Sequence, residues 1–210
     1  MPKKQGCALS DIKIMALVSG GGTNLQALLD AEKNGILAGG SISLVVSDRP
    51  GVYALERAQA AGVPTFVEAP DITISKELRR RELSDRILTL AETYRTGLIV
   101  LAGFLSILAG EIIQRYSGKI INLHPSLLPK FGGDGMYGER VHRAVLESGE
   151  KESGCTVHLV DAGTDTGQIL LQRRVPVLPD DTPDSLAERI HAQEHIAIVE
   201  AVKMMVQQLS

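Results

Sequence analysis

The chain is predicted to fold as a single doubly wound α/β domain, with a mostly parallel sheet, a β-rich C-terminal part and a long final helix. Three observations predict this. Runs of valine, isoleucine and leucine at residues 12–18, 42–46, 98–102 and 120–123 lack polar alternation, as strands buried on both faces do. Amphipathic segments at 24–33, 53–61, 75–95 and 108–116 have the length that crossovers between parallel strands require. After Gly138 the order changes: a helix near 139–148 precedes β-rich segments at 154–160 and 168–177, which can pair antiparallel across the turn between them.

Each element has its own signal. The first strand ends in Ser19-Gly20-Gly21-Gly22, which starts the first helix. The last helix opens at Thr182-Pro183, an N-cap residue followed by proline at the first helical position, and runs close to residue 210. The cluster Gly132-Gly133-Asp134-Gly135, with Gly138, favours neither helix nor strand and reads as a mobile surface loop. Residues 12–208 are expected to form one domain, in halves 12–118 and 119–208, with 1–11 as an N-terminal extension.

At 210 residues such a domain buries most of its apolar surface without a covalent staple. Cys7 and Cys155 lie far apart in no Cys-x-x-Cys or Cys/His pattern, so free thiols in a reducing cytoplasm are expected, with no metal site. No run has signal-peptide character or spans a bilayer, so no membrane partner is expected. A net charge of −3 and a pI near 6.0 give no general attraction for polyanions. With three phenylalanines, four tyrosines and no tryptophan there is little material for base stacking, so nucleic acid is excluded as the principal partner.

The most informative stretch is Asn122-Leu123-His124-Pro125-Ser126-Leu127-Leu128-Pro129. Asn122 and His124, two apart on a strand, leave the sheet on the same side at its carboxyl end. One offers a hydrogen-bond donor and the other carries a proton. Pro125 keeps His124 extended. A lone histidine is more often a hydrogen-bonded core residue; Asn122 beside it favours chemistry. The turn Ser19-Gly20-Gly21-Gly22-Thr23-Asn24 sits where free N–H groups and a helix dipole receive a phosphate. It lacks the lysine of a P-loop, and Leu25 stands where a dinucleotide fingerprint wants its third glycine.

Asp165, between Gly163 and Gly167, is a candidate to face His124, raise its pKa and fix its tautomer. Asp161 could do the same, and pattern does not separate them. His158 alternates with Val157 and Leu159, so the cleft and the sheet surface are both open to it. Glu194 falls inside the apolar stripe of Leu186, Ile190, Ala197 and Ala201 on the final helix, where it needs a hydroxyl or amine partner unless it reaches solvent. Of the basic clusters, Lys76 with Arg79, Arg80 and Arg81, and Lys130 with Arg140, His142 and Arg143, only Lys76 and the loop residues are placed to reach a ligand.

Together, Ser19-Gly20-Gly21-Gly22-Thr23-Asn24-Leu25, Leu101-Ala102-Gly103-Phe104, the Asn122 to Pro129 motif and the Asp165 loop resemble the phosphoribosylglycinamide formyltransferases, folate-dependent enzymes of purine synthesis. The resemblance runs from about Ile12 to the final helix and implies a Rossmann-like formyltransferase fold. The Asn122 motif is shared among folate formyltransferases and the related deformylase; the glycine loop and Gln193-Glu194-His195 narrow it to the glycinamide enzymes. The resemblance implies a ribonucleotide whose phosphate rests on Gly22, Thr23 and Asn24, with Glu194 near its sugar and amine. It implies 10-formyltetrahydrofolate as co-substrate, held by the backbone of Leu105, Ser106, Ile107 and Leu108 and by the Asp165 loop, with Lys76 and Asn122 near it. Asn122 and a protonated His124 would stabilise the oxyanion, and Asp165 would keep His124 charged. No metal is implied, the partners are small molecules, and a homodimer is compatible with it.

Two departures stand out. Ser106 replaces an arginine common in relatives, and His191 replaces other long polar residues. The Gly135-Met136-Tyr137-Gly138 loop resembles a longer-looped branch, and the family suggests a cis Leu128-Pro129 bond. Among rivals, formyl transfer to initiator tRNA would need a tRNA-binding domain, and the deformylase an extra segment before the first strand. A dinucleotide-dependent reductase, with Asp48 gripping a ribose, would make no use of Asn122 or His124. A non-catalytic nucleotide-binding module would need only the glycine loop.

Overall fold

A computed structural model describes residues 11–210. Seven strands form one sheet in the order β3-β2-β1-β4-β5-β6-β7. The parallel part comprises β1 (Ile12–Val18), β2 (Gly40–Ser47), β3 (Thr65–Val67), β4 (Leu98–Leu101) and β5 (Ile120–His124). β6 (Glu152–Leu159) and β7 (Ile169–Pro176) complete it as an antiparallel pair.

The apolar runs form strands because both faces of the sheet are covered. Along β1, Ile14, Ala16 and Val18 join one core cluster while Met15 and Leu17 join the other. The first cluster packs under α1 (Thr23–Lys33), α2 (Tyr53–Ala60), α5 (Glu139–Glu147) and α6 (Pro183–Leu209), and the second under α3 (Lys76–Thr93) and α4 (Glu111–Arg115). A mid-strand residue turned either way therefore leaves water, at roughly 25 cal/mol per Å² of apolar surface removed.

Local chemistry sets the helix boundaries. The Ser75 hydroxyl accepts the Leu78 N–H and starts α3, and Thr182 and Ser185 form a reciprocal capping box at α6, with Pro183 in the first turn. α1 differs. Its N-cap is Gly22, in the left-handed region at φ 71°, and no side chain caps it.

The chain winds outward from β1 to β3, returns through α3, and resumes at β4 on the other side of β1. β1 and β4 therefore flank a topological switch point, where the loops after them diverge and leave a crevice at the carboxyl edge. The two loops are tied together: Ser19 N–H donates to Gly103 O, and Leu105 N–H donates to Ser19 Oγ.

The structure differs from expectation in two elements. β3 is too short and too exposed to leave an apolar run. The helix expected at 108–116 contracts to Glu111–Arg115, because Gly110 stands at φ 80° and residues 105–110 form an irregular loop. Leu128-Pro129 is cis. Among the described residues, no helix is long and apolar enough to cross a membrane. Cys155 is a buried free thiol, its pKa pushed up to about 12, first by burial and then by the Glu194 charge; it is therefore a poor nucleophile. Cys7 lies outside the described residues.

Candidate active site

A cleft of about 1020 Å³ opens at the switch point. One side is formed by the glycine turn before α1, one by the loop after β4, and the floor by the ends of β5 and β6. It is large enough for two small ligands side by side.

Gly22 closes the turn because nothing larger fits: a Cβ there would lie 2.6 Å from Ala54 Cβ. The carbonyls of the turn are occupied from outside, Gly20 O by Ala54 N–H and Gly21 O by Arg57 Nε. That leaves the first N–H groups of an uncapped helix facing the cleft, the arrangement an anion needs. Gly22, Thr23 and Asn24 all line the cavity.

Asn24 Nδ2 donates to Glu194 Oε2 at 3.2 Å, joining α1 to α6 across the wall. Glu194 is 5% exposed and does not reach bulk solvent. Burial raises its pKa, offset in part by His191, whose Nε2 is 3.8 Å away, and by the Asn24 hydrogen bond. A buried carboxylate with one close donor retains acceptor capacity. Asn24 Oδ1 also lacks a partner.

β5 delivers Asn122 and His124 to the floor on the same side, two residues apart. His124 is 4% exposed. Its Nε2 is 2.8 Å from Phe131 O and its Nδ1 is 3.5 Å from Asp165 Oδ2. Asp165 Oδ2 also accepts the Gly133 N–H at 3.0 Å. Asp161 is elsewhere: its carboxylate accepts Gly163 N–H and Thr166 Oγ, making its own turn. The two aspartates that the sequence could not separate are thus separated by the loop, and Asp165 alone faces the imidazole. It does so at φ 58°, a left-handed conformation that an aspartate tolerates better than most residues.

One expectation is corrected. Asp165 does raise the pKa of His124, as does the Phe131 carbonyl, but it was also expected to keep the ring charged, and burial outweighs both and brings the pKa below the ordinary value. The ring is therefore neutral at neutral pH. A carbonyl can only accept, so Nε2 carries the hydrogen and Nδ1 is a bare base. For Asp165, burial works upward but is outweighed by His158, the Gly133 N–H and the two imidazole charges, and its pKa is lowered.

His158 faces the cleft. It is 2% exposed, and its Nε2 lies 3.2 Å from Asn122 Nδ2 and 3.5 Å from Asp165 Oδ1. Two further residues, His142 of a basic cluster and Asp134 of the glycine loop, carried no individual site signal in the sequence. His142 on α5 lines the cleft with Nδ1 unpartnered, its pKa lowered to about 4, mainly by burial. Asp134 crosses the mouth to bond Lys76 Nζ at 2.8 Å and Arg80 at 3.4 Å, so the glycine loop is fastened to α3. Lys76 therefore does reach the cleft, but through this bridge. Arg79 lines the rim beside them.

The opposite half of the cleft is apolar, lined by Leu101, Phe104, Leu105, Ile107, Leu108 and Val160. Ser106 also lines it, but its hydroxyl donates to buried Asp48 at 2.7 Å. Asp48 is held by Ser106 and Arg49, so the ribose grip a reductase would require of it is already occupied. Among the described residues, no group of three or more His, Cys, Asp or Glu side chains could hold a metal.

The fold and cleft define an α/β protein with a nucleotide-sized crevice at a topological switch point. The chain belongs to the formyl transferase family, whose model matches residues 12–202. It is 45% identical over 197 residues to the trifunctional purine biosynthetic protein adenosine-3 of Drosophila melanogaster, covering 92% of this chain but only 14% of that protein's length. It is 38% identical over 184 residues to the phosphoribosylglycinamide formyltransferase of Escherichia coli strain K12, covering 88% of this chain and 82% of that one. The solved glycinamide ribonucleotide transformylase 1 of Symbiobacterium toebii superposes with a TM-score of 0.83 at 41% identity, covering 94% of this chain and 88% of that one.

Proposed function

We propose that the chain transfers the formyl group of 10-formyltetrahydrofolate to the amine of glycinamide ribonucleotide, by direct attack and without a covalent enzyme intermediate. The observation that carries this reading is the convergence of Asn122, His124 and Asp165 within one cleft, beside the uncapped start of α1. The phosphate rests on the N–H groups of Gly22, Thr23 and Asn24. Glu194, with the unpartnered Asn24 oxygen, offers acceptors to the sugar hydroxyls and the amine. The half comprising residues 12–118 thus carries the phosphate site, and 119–208 the reacting groups. Both halves reach the folate, which the apolar wall and the backbone of Leu105, Ser106, Ile107 and Leu108 accommodate, with Lys76 at the rim.

The amine attacks the formyl carbon, and the carbonyl electrons move to its oxygen. The Asn122 N–H stabilises that oxyanion, and the His124 ring adds its positive charge once it has taken up a proton. Because His124 starts neutral, its bare Nδ1 accepts the proton that the amine nitrogen releases, and Asp165 stabilises the imidazolium so formed. The proton then passes to the folate nitrogen as the bond from carbon to that nitrogen breaks. Atoms and charge balance without a further reactant.

The test is to mix purified protein with the ribonucleotide and the formylfolate and follow the folate spectrum. Loss of the formyl group that depends on the ribonucleotide is expected. Loss without the ribonucleotide would instead indicate a deformylase, and nicotinamide absorbance changes a reductase. Ligand binding without turnover would mark a binding module.

A further inference from the structure

Asn122 and His158 are opposed on the antiparallel strands β5 and β6, and their side chains meet at 3.2 Å, Nδ2 to Nε2. The other ring nitrogen of His158, Nδ1, is 2.8 Å from the carbonyl oxygen of Leu159. That oxygen only accepts, so Nδ1 carries a hydrogen. In the neutral ring Nε2 is then bare, and the atom facing it must donate. Asn122 therefore turns its NH2 group to the ring, with its second N–H directed at Asp165 Oδ1, 3.5 Å away. The reverse arrangement, a doubly protonated ring with the amide turned over, would set the Asn122 oxygen against that carboxylate oxygen, acceptor against acceptor. In the arrangement observed, the Asn122 NH2 group lies within reach of both the bare Nε2 and Asp165 Oδ1, which are themselves 3.5 Å apart, and donates to both.

We propose that His158, held as the Nδ1–H tautomer by the Leu159 carbonyl, is a positioning residue that keeps the NH2 of Asn122, rather than its oxygen, directed at the reacting carbonyl. The proposal rests on the formyl-transfer reading and adds how its oxyanion donor is aimed. One N–H of Asn122 stays anchored on His158 Nε2. The other makes only a long contact with Asp165, so it is free to turn to a developing oxyanion. Without the ring, a half-rotation of the amide would present an acceptor to the same negative charge. His158 is 2% exposed, so bulk water cannot readily replace it as the anchor. The titratable groups facing it are Asp165 from the 161–167 loop and His124 from β5.

The tautomer is read directly by nitrogen NMR of the full chain labelled with ¹⁵N-histidine, without ligands and at neutral pH, with His158 assigned by its absence in His158→Gln. A protonated Nδ1 and a bare Nε2 are expected. A hydrogen on Nε2, alone or with one on Nδ1, overturns the proposal. In kinetics, His158→Leu should lower kcat about 100-fold, the loss typical of a misdirected oxyanion donor, with both KM values nearly unchanged. His158→Gln, which keeps an acceptor for the Asn122 N–H, should recover part of that loss. In an Asn122→Ala background His158→Leu should cost no more than about twofold, because the ring acts through the amide. A full additional loss there overturns the proposal. The tautomer is read without substrate, so its failure is distinct from failure of the formyl-transfer reading, which would appear as no turnover by the wild-type chain.

Discussion

Both ring nitrogens of His124 face acceptors, Phe131 O on one side and the Asp165 carboxylate on the other, and the residue is buried. Burial keeps the ring neutral in the resting cleft, and the two acceptors stabilise the imidazolium once a proton arrives, which suits a group that receives a proton during reaction. His124→Ala should lower kcat/KM by on the order of 3 kcal/mol of transition-state stabilisation. Its ribonucleotide affinity, measured by calorimetry, should stay near wild type, because the phosphate site belongs to another loop. A variant with near-normal turnover would remove His124 from the mechanism. The two aspartates give a matched comparison: Asp165→Asn should be slow and Asp161→Asn mild, since the second carboxylate serves only its own turn. Equal rates for the two variants would contradict this assignment.

The turn between β1 and α1 is the element on which the phosphate proposal depends. Gly22→Ala would force an alanine to φ 71° and drive its Cβ onto Ala54. The backbone cost alone is about 1–2 kcal/mol, and moving α2 adds to it. Urea unfolding should show the stability loss, and calorimetry a weakened ribonucleotide. Unchanged affinity would mean that the phosphate sits elsewhere. α6 shows a different use of an element: its apolar stripe binds it to the sheet, and the same register carries Glu194 into the cleft wall. Part of this was legible in the sequence, since a carboxylate inside an apolar stripe needs a partner. Its partner, Asn24, was not, because 170 residues of chain separate the two.

At the scale of the whole molecule, buried histidines set the response to acid. The pKa values of His124, His142 and His195 all fall below 6.5, chiefly through burial, and that of His142 falls to about 4. Between those values the unfolded chain binds more protons than the folded one, so stability declines as pH falls from about 6.5 toward 4. Glu194 and Glu32, raised by burial, work in the opposite direction. His142→Leu isolates one contribution: its unfolding free energy, followed against pH by denaturant titration, should lose less than the wild type over that window. Parallel curves would show that His142 is not held neutral by the fold.

The sequence by itself determined the sheet, the crossovers and the pair Asn122 and His124, because uniform apolar runs, helical periodicity and strand alternation are local and survive without knowledge of neighbours. It could not reveal β3, whose three residues are partly exposed at an edge, nor choose between Asp161 and Asp165, which differ only in how a loop folds. The charge of His124, the contact of His158 with Asn122 and the Asp134 bridge across the cleft were decided by tertiary structure alone. Burial and through-space distance control protonation and hydrogen bonding, and both are set by the order in which strands pair rather than by any stretch of residues.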